Sequence, residues 1–238
     1  MGTLVLVRHG QASFFDADYD KLSATGERQA TLLGEHWARS GTAFDRVFHG
    51  PRRRQRRTAE LVAEVMRAGG RPLPELVPLE GLDEVQTAAL AAALPELTRR
   101  DPELALLLDD LGALAERRAP SRQFERRIAR VLSLWARGEA EVEGVETFPD
   151  FLARVRGALE AMRRDAARGL RVLGFTSAGT ISAAMGSALS LSPETAVDLM
   201  WRVRNTSVTE FLFSGDRFSM QSFNGVPHLA DGALVTTL

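Results

Sequence analysis

Residues 3–7 read TLVLV, and the run stops at Arg8-His9-Gly10. A continuous apolar, β-branched run has no polar face to offer water. It predicts a strand buried on both sides, and such strands sit in parallel sheets covered by helices. Arg8-His9-Gly10 then falls at the carboxyl end of that strand. Open α/β sheets bind their ligands at this edge.

The rest of the chain extends the pattern. Residues 22–39 read as a helix, with Ser23 or Thr25 to cap it and Gly41 to end it. A short strand is expected at 44–49. A helix over 51–67 follows, starting with Pro51 and stopping at Gly69-Gly70. Residues 72–79 read as extended. Residues 82–138 are rich in Ala, Leu, Arg and Glu, with breaks at Pro95, Pro102 and Pro120. They read as a mostly helical insertion rather than a separate domain. An amphipathic helix at 148–168, a buried strand at 171–176 and a helix through Ala188 come next. A hairpin around Ser214-Gly215-Asp216 closes the series. The expected fold is α/β: a three-layer, open, mostly parallel sheet with helices on both faces. Residues 1–238 are expected to form one domain, with a helical cap inserted at about 85–147.

Composition excludes several function classes. The chain has no cysteine, which rules out a disulfide framework, thiolate zinc and a Cys nucleophile. The formal net charge is −1, so no overall basic field holds nucleic acid or an anionic membrane. No stretch approaches the ~20 apolar residues of a membrane helix. Residues 1–7 are too short and too uncharged for a signal peptide. A cytoplasmic chain is expected.

Three groups of residues carry chemistry. In Arg8-His9-Gly10, Arg8 offers a planar fork of donors that fits phosphate oxygens. His9 is a nucleophile or proton carrier, and Gly10 lets backbone approach an anion. The second group is PRRRQRRT, residues 51–58. Leu61, Val62, Val65 and Met66 define its inward helical face, and Arg54 shares that face. Arg52, Arg53 and Arg56 are expected to point elsewhere. An inward Arg in the first turn joins the free N–H groups of a helix N-terminus, which favour anions. The third is Glu84 in Gly81-Leu82-Asp83-Glu84-Val85. A partly desolvated Glu can donate a proton to a leaving alkoxide.

In this combination the chain resembles the histidine phosphatase superfamily, which includes phosphoglycerate mutases and several phosphatases. LVLVRHGQ is similar to its first-strand signature, and its RHGQASF opening to that of some bacterial members. LSATGERQA, residues 22–30, is similar to its LSxxGxxQA segment. HGPRRR followed by Thr58-Ala59 is similar to its SxPxxR…TA segment, and Leu82-Asp83-Glu84 to its LxE segment. Asn205–Thr209 and the stretch from Asn224 to His228-Leu229 resemble its C-terminal segments. The resemblance spans nearly the whole chain outside the insertion. It implies that His9 forms a phosphohistidine, that Arg8 and Arg54 hold phosphate and that Glu84 is the acid/base. It also implies a phosphoglycerate mutase-like fold with no metal and no cofactor.

The chain departs from the family at one position. The family's second histidine normally sits in a SHGG segment, and here Thr176-Ser177-Ala178-Gly179-Thr180 places Ala178 there. The alanine is compatible with a naturally altered site, a substitution made to trap a complex, or a binding relative with little catalysis. Losing one donor costs ~10²–10³ in rate, against ~10⁶ or more for a whole site. Ser177 and Thr180 are candidate neutral donors beside Gly179, and His49 is a candidate replacement imidazole. His228 is expected to be structural and His36 a surface or partly buried residue. No His pair has metal-ligand spacing on a helix. The Gly-x-Trp motif common in mutases is absent after Glu84, and no second basic cluster is evident, with Arg99, Arg100 and Arg122 the candidates. The sequence therefore points to a phosphomonoester phosphatase with a small phosphorylated substrate. The alternatives are an impaired phosphate-binding relative and a phosphoglycerate mutase. The amphipathic helices leave a homodimer open.

Overall fold

The structure is a computed structural model that describes residues 1–13, 20–86, 89, 90, 99, 122–140, 142–165 and 167–237. The opening apolar run forms β1 (Gly2–Arg8). It is followed by α1 (Ala24–Ser40), β2 (Arg46–His49), α2 (Arg53–Ala68) and β3 (Leu76–Pro78). A 3₁₀ turn at Glu80–Leu82 leads into the insertion, whose described part includes α3 (Arg122–Ala136). Then come α4 (Phe148–Arg163), β4 (Arg171–Thr176), α5 (Ala178–Leu189), α6 (Pro193–Met200), β5 (Val208–Ser214) and β6 (Arg217–Gly225). Most of the expected cap, residues 91–98 and 100–121, lies outside the described residues.

The six strands make one mixed sheet in the order β3-β2-β4-β1-β5-β6. β1 and β2 both run parallel to β4, and β3 runs parallel to β2. β5 and β6 close the other edge as an antiparallel hairpin. The alternation of side chains along β1 splits its apolar run between two cores. Val5 and Val7 pack with Leu173 and Phe175 under Leu33 and Trp37 of α1 and Val62 and Met66 of α2. Leu4 and Leu6 pack with Val172 under Phe151 and Val155 of α4, Ile181 of α5 and Leu132 of α3. A Leu6→Ala change would open a cavity at the middle of this layer, costing about 2–5 kcal/mol.

Local chemistry sets the helix ends. Ser23, not Thr25, caps α1 by accepting from Gly26 N–H, and Gly41 ends it at φ 70°. α2 starts at Arg53, two residues after Pro51, because Arg52 takes the extended N-cap conformation. α4 stops at Arg163, short of the expected 168. Arg164 leaves the helical region and Asp165 turns at φ 53°. The sequence reading missed α6, although Ser192 caps it and Pro193 opens it. The hairpin turn narrows to Gly215-Asp216, with Gly215 at φ 54°. No helix among the described residues is long and apolar enough to cross a membrane.

Candidate active site

The carboxyl ends of β1, β2 and β4 lie along one edge of the sheet, and the N-termini of α2 and α5 follow β2 and β4 there. His9 extends β1 by one residue and donates its backbone N–H to Thr176 O at 2.9 Å. Its carbonyl accepts from Asn205 Nδ2 at 3.2 Å. The ring is only 4% exposed. His9 Nδ1 lies 2.7 Å from Gly10 O. A carbonyl only accepts, so Nδ1 carries the proton and Nε2 carries the lone pair. That lone pair receives Arg54 Nε–H at 3.1 Å. Burial, then the charges of Arg54 and Arg8, hold the His9 pKa well below its ordinary value, against the pull of the Gly10 carbonyl. His9 is therefore a neutral imidazole whose Nε2 accepts from Arg54.

Arg54 is the second residue of α2 and is 6% exposed, as its helical phase predicts. Its Nη1 pairs with Asp20 Oδ1 at 2.7 Å. Arg8 is also buried, and its Nη1 donates to the carbonyls of Val203 and Thr237. Gly10 is held against α2 and α1. Its N–H is committed to Thr58 Oγ1 at 3.0 Å. A Cβ on Gly10 would meet Gly26 O at 2.4 Å, so the glycine lets β1 and α1 touch.

The Leu82-Asp83-Glu84 segment is strapped down from several sides. Thr176 Oγ1 and Gln55 Nε2 donate to Leu82 O at 2.7 and 3.2 Å. Arg154 of α4 donates to the carbonyls of Gly81 and Asp83. Glu84 Oε1 accepts the backbone N–H groups of Gly179 at 3.0 Å and Val85 at 2.9 Å. Its carboxylate thus sits at the N-terminus of α5, where the helix dipole favours a negative charge. A Cβ at 179 would lie 2.3 Å from Glu84 Oε1, so a side chain there would push that carboxylate away from the helix. Ala178 is buried in the apolar core on the same edge.

Several expectations need correction. Arg52 points off the inward face as expected, but it is not a solvated surface residue: it forms a two-pronged pair with Asp83, Nε to Oδ1 at 2.6 Å and Nη2 to Oδ2 at 3.0 Å. That pairing raises its pKa. Arg53 and Arg56 are exposed as expected. Thr180 is not a spare donor, because its hydroxyl donates to Asp83 O at 2.7 Å. Ser177 Oγ accepts from Gln55 Nε2 at 2.8 Å in a fully buried setting. His49 does not stand in for the missing imidazole by any contact with the cluster. Its Nδ1 donates to Gly50 O at 2.8 Å, the bonding of a strand-end histidine. His228 is structural: its Nε2 lies 2.9 Å from Thr206 Oγ1. The Thr206 hydroxyl donates to Asn205 O, so the histidine is the donor. Burial, and after it His36, lowers the His228 pKa to about 4. Among the arginines weighed as a second anion cluster, Arg99 is exposed, while Arg100 and the Arg122 side chain lie outside the described residues.

The sequence reading overlooked Asp20, Gln55 and Arg154. Gln55 had a signal, since it shares a helical face with Ala59, Val62 and Met66 and is a polar residue among apolar ones. Asp20 and Arg154 had none.

Comparisons with known proteins place the fold and the family. No curated protein matches the sequence significantly. A phosphoserine phosphatase mutant from Entamoeba histolytica, in complex with phosphoserine, is 17% identical with TM-score 0.63, over 96% of this chain and 100% of that one. A phosphoglycerate mutase from Bacillus anthracis is 20% identical with TM-score 0.64, over 97% and 96%. A mycobacterial glucosyl-3-phosphoglycerate phosphatase is 18% identical with TM-score 0.60, over 94% and 98%. At these identities the likeness is one of fold. The sequence profile of the histidine phosphatase superfamily (branch 1) matches residues 4–133 and 85–225, which together span both the β1 edge and the β4 edge of the pocket. This chain belongs to the histidine phosphatase superfamily.

Proposed function

We propose that the chain is a metal-independent phosphomonoester phosphatase that works through a phospho-His9 intermediate. One observation carries the reading: His9 is neutral, its Nδ1 is tied to Gly10, and its Nε2 lone pair lies beside Arg54. A nucleophile for phosphorus needs that tautomer, and the cations supply the charge that phosphoryl oxygens require. Fixing Nδ1 also removes the wrong tautomer before substrate arrives.

In the proposed cycle, phosphoryl oxygens of a small monoester bind Arg8 and Arg54. Arg54 Nε–H moves from the His9 Nε2 lone pair to a phosphoryl oxygen, Nε2 attacks phosphorus, the bond to the ester oxygen breaks, and Glu84, entering the cycle protonated, gives its proton to the departing alkoxide. Water, deprotonated by Glu84, then attacks phospho-His9. The P–N bond breaks, inorganic phosphate leaves and His9 returns to its neutral form. Ala178 offers no imidazole to the phosphoryl group. The missing donor costs ~10²–10³ in rate, which leaves a slow enzyme rather than an inert one.

A second reading, a phosphate-binding relative without useful turnover, is favoured by one observation. Glu84 Oε1 already holds two backbone N–H groups, which ties one of the two oxygens that the acid/base role can use. Phosphate release from an aryl phosphate and a panel of small esters, measured in chelator, separates the two. The phosphatase reading expects slow release that vanishes in His9→Ala, with acid-labile label on the parent protein. A parent indistinguishable from His9→Ala on every ester would leave the binding reading. Any rise in Ala178→His measures what the absent imidazole withholds.

A further inference from the structure

Asp20 lies in the anion cradle without belonging to any catalytic segment recognised in the sequence. Its Oδ1 takes Arg54 Nη1 at 2.7 Å, and its Oδ2 takes the backbone N–H of Arg53, the first residue of α2, at 2.9 Å. Arg52 also feels its charge. A carboxylate that joins one arginine N–H to a helix N-terminus uses donors that suit a phosphoryl group. The same Arg54 reaches His9 Nε2 through its Nε. Asp20 is 31% exposed, so water reaches the pair from outside.

We infer that Asp20 is an internal anion that occupies part of the phosphate cradle and sets which anions can enter it. The inference rests on the phosphate pocket proposed above. A substrate phosphoryl group must displace the Asp20 carboxylate from Arg54. A free carboxylate has the same charge and the same two oxygens, and it competes with a tethered group whose effective concentration is high. It is excluded. A phosphoryl dianion brings more charge and a third oxygen, so it can take the site. Asp20 thus exchanges some phosphate affinity for rejection of the carboxylates abundant around any enzyme.

The test is calorimetric titration of the full chain with inorganic phosphate and with acetate, for the parent, Asp20→Asn, Asp20→Ala and Arg54→Gln. Removing a unit charge within ~4–6 Å shifts a neighbouring equilibrium by about tenfold or more. Phosphate is therefore expected to bind roughly tenfold tighter in both Asp20 variants, and acetate binding is expected to appear in them alone. In turnover, KM falls and kcat/KM rises. A residue that merely held Arg54 in place would instead lower kcat/KM on removal. Phosphate affinity that is unchanged or weaker in both folded Asp20 variants overturns the inference. If the parent still binds phosphate and Arg54→Gln does not, the proposed pocket survives that result. Absence of phosphate binding in the parent and in both Asp20 variants overturns pocket and inference together.

Discussion

His9 and His49 end two parallel strands, β1 and β2, that flank β4 in the sheet. Each is buried, and each is followed by a glycine whose carbonyl takes the ring's Nδ1–H, at 2.7 Å for His9 and 2.8 Å for His49. The local device is the same twice, and it fixes the same tautomer. The surroundings differ. His9 meets Arg54 at Nε2 and lies in the field of Arg8 and Arg54, which with burial keeps it neutral. Among the described residues, no arginine hydrogen-bonds to His49. The pair teaches that a strand-end His-Gly step orients an imidazole, while the cations brought from elsewhere in the fold make it useful toward an anion.

The comparison predicts a large asymmetry. His9→Ala is expected to lower phosphate release by a factor on the order of 10⁴–10⁶ and to abolish acid-labile phosphoryl label. His49→Asn is expected to keep most of the parent rate. Equal losses in the two variants would break the distinction.

Removing the cation sharpens it. Arg54→Gln is expected to lower kcat/KM by ~10²–10³. It should also move the acidic limb of the pH–rate profile upward. The sign follows from the cause: Arg54 depresses the His9 pKa, so its loss lets His9 protonate at higher pH. A profile whose acid limb stays in place would show that Arg54 does not set the protonation of His9.

A third buried histidine tests burial as the leading cause, with His36 second. His228 has a folded pKa of about 4 against an ordinary 6.5. Below 6.5 the unfolded chain takes up a proton that the folded chain refuses. Its stabilising contribution is therefore complete above pH 6.5 and lost as pH falls toward 4, by about 3 kcal/mol. Chemical unfolding of parent and His228→Gln across pH 4–7 checks this. A parent whose stability is flat over that window would refute it.

The smallest expected effect is at Thr58, which accepts Gly10 N–H and donates to Arg54 O. Thr58→Val leaves Gly10 N–H buried and unpaired, at a cost of about 1–3 kcal/mol in stability. The rate is expected to change less than in Arg54→Gln, as parallel melting and activity assays would show.

The strands and helices nearest the pocket were legible because their signals are local. The run through Val7 has no polar face, and the phase of Leu61, Val62, Val65 and Met66 turns Arg54 inward. Phase places Arg52 off that face, but it does not show that a long side chain at the N-cap reaches across to Asp83. Thr180 was misread because nothing in its own segment shows that Asp83 O lies 2.7 Å away.

The amino-acid sequence by itself determined the strand-end imidazole, the inward arginine and the alanine at 178. Each depends on side-chain type and on periodicity within a few residues. Only the tertiary structure decided what surrounds them. Arg8 is held by backbone carbonyls 195 and 229 residues away, and Arg54 by a carboxylate 34 residues away. Backbone carbonyls are the same at every residue, and a single Asp among many acids carries no mark of its partner. Such contacts exist only once the sheet has brought distant segments to one edge, so their chemistry can be read only in three dimensions.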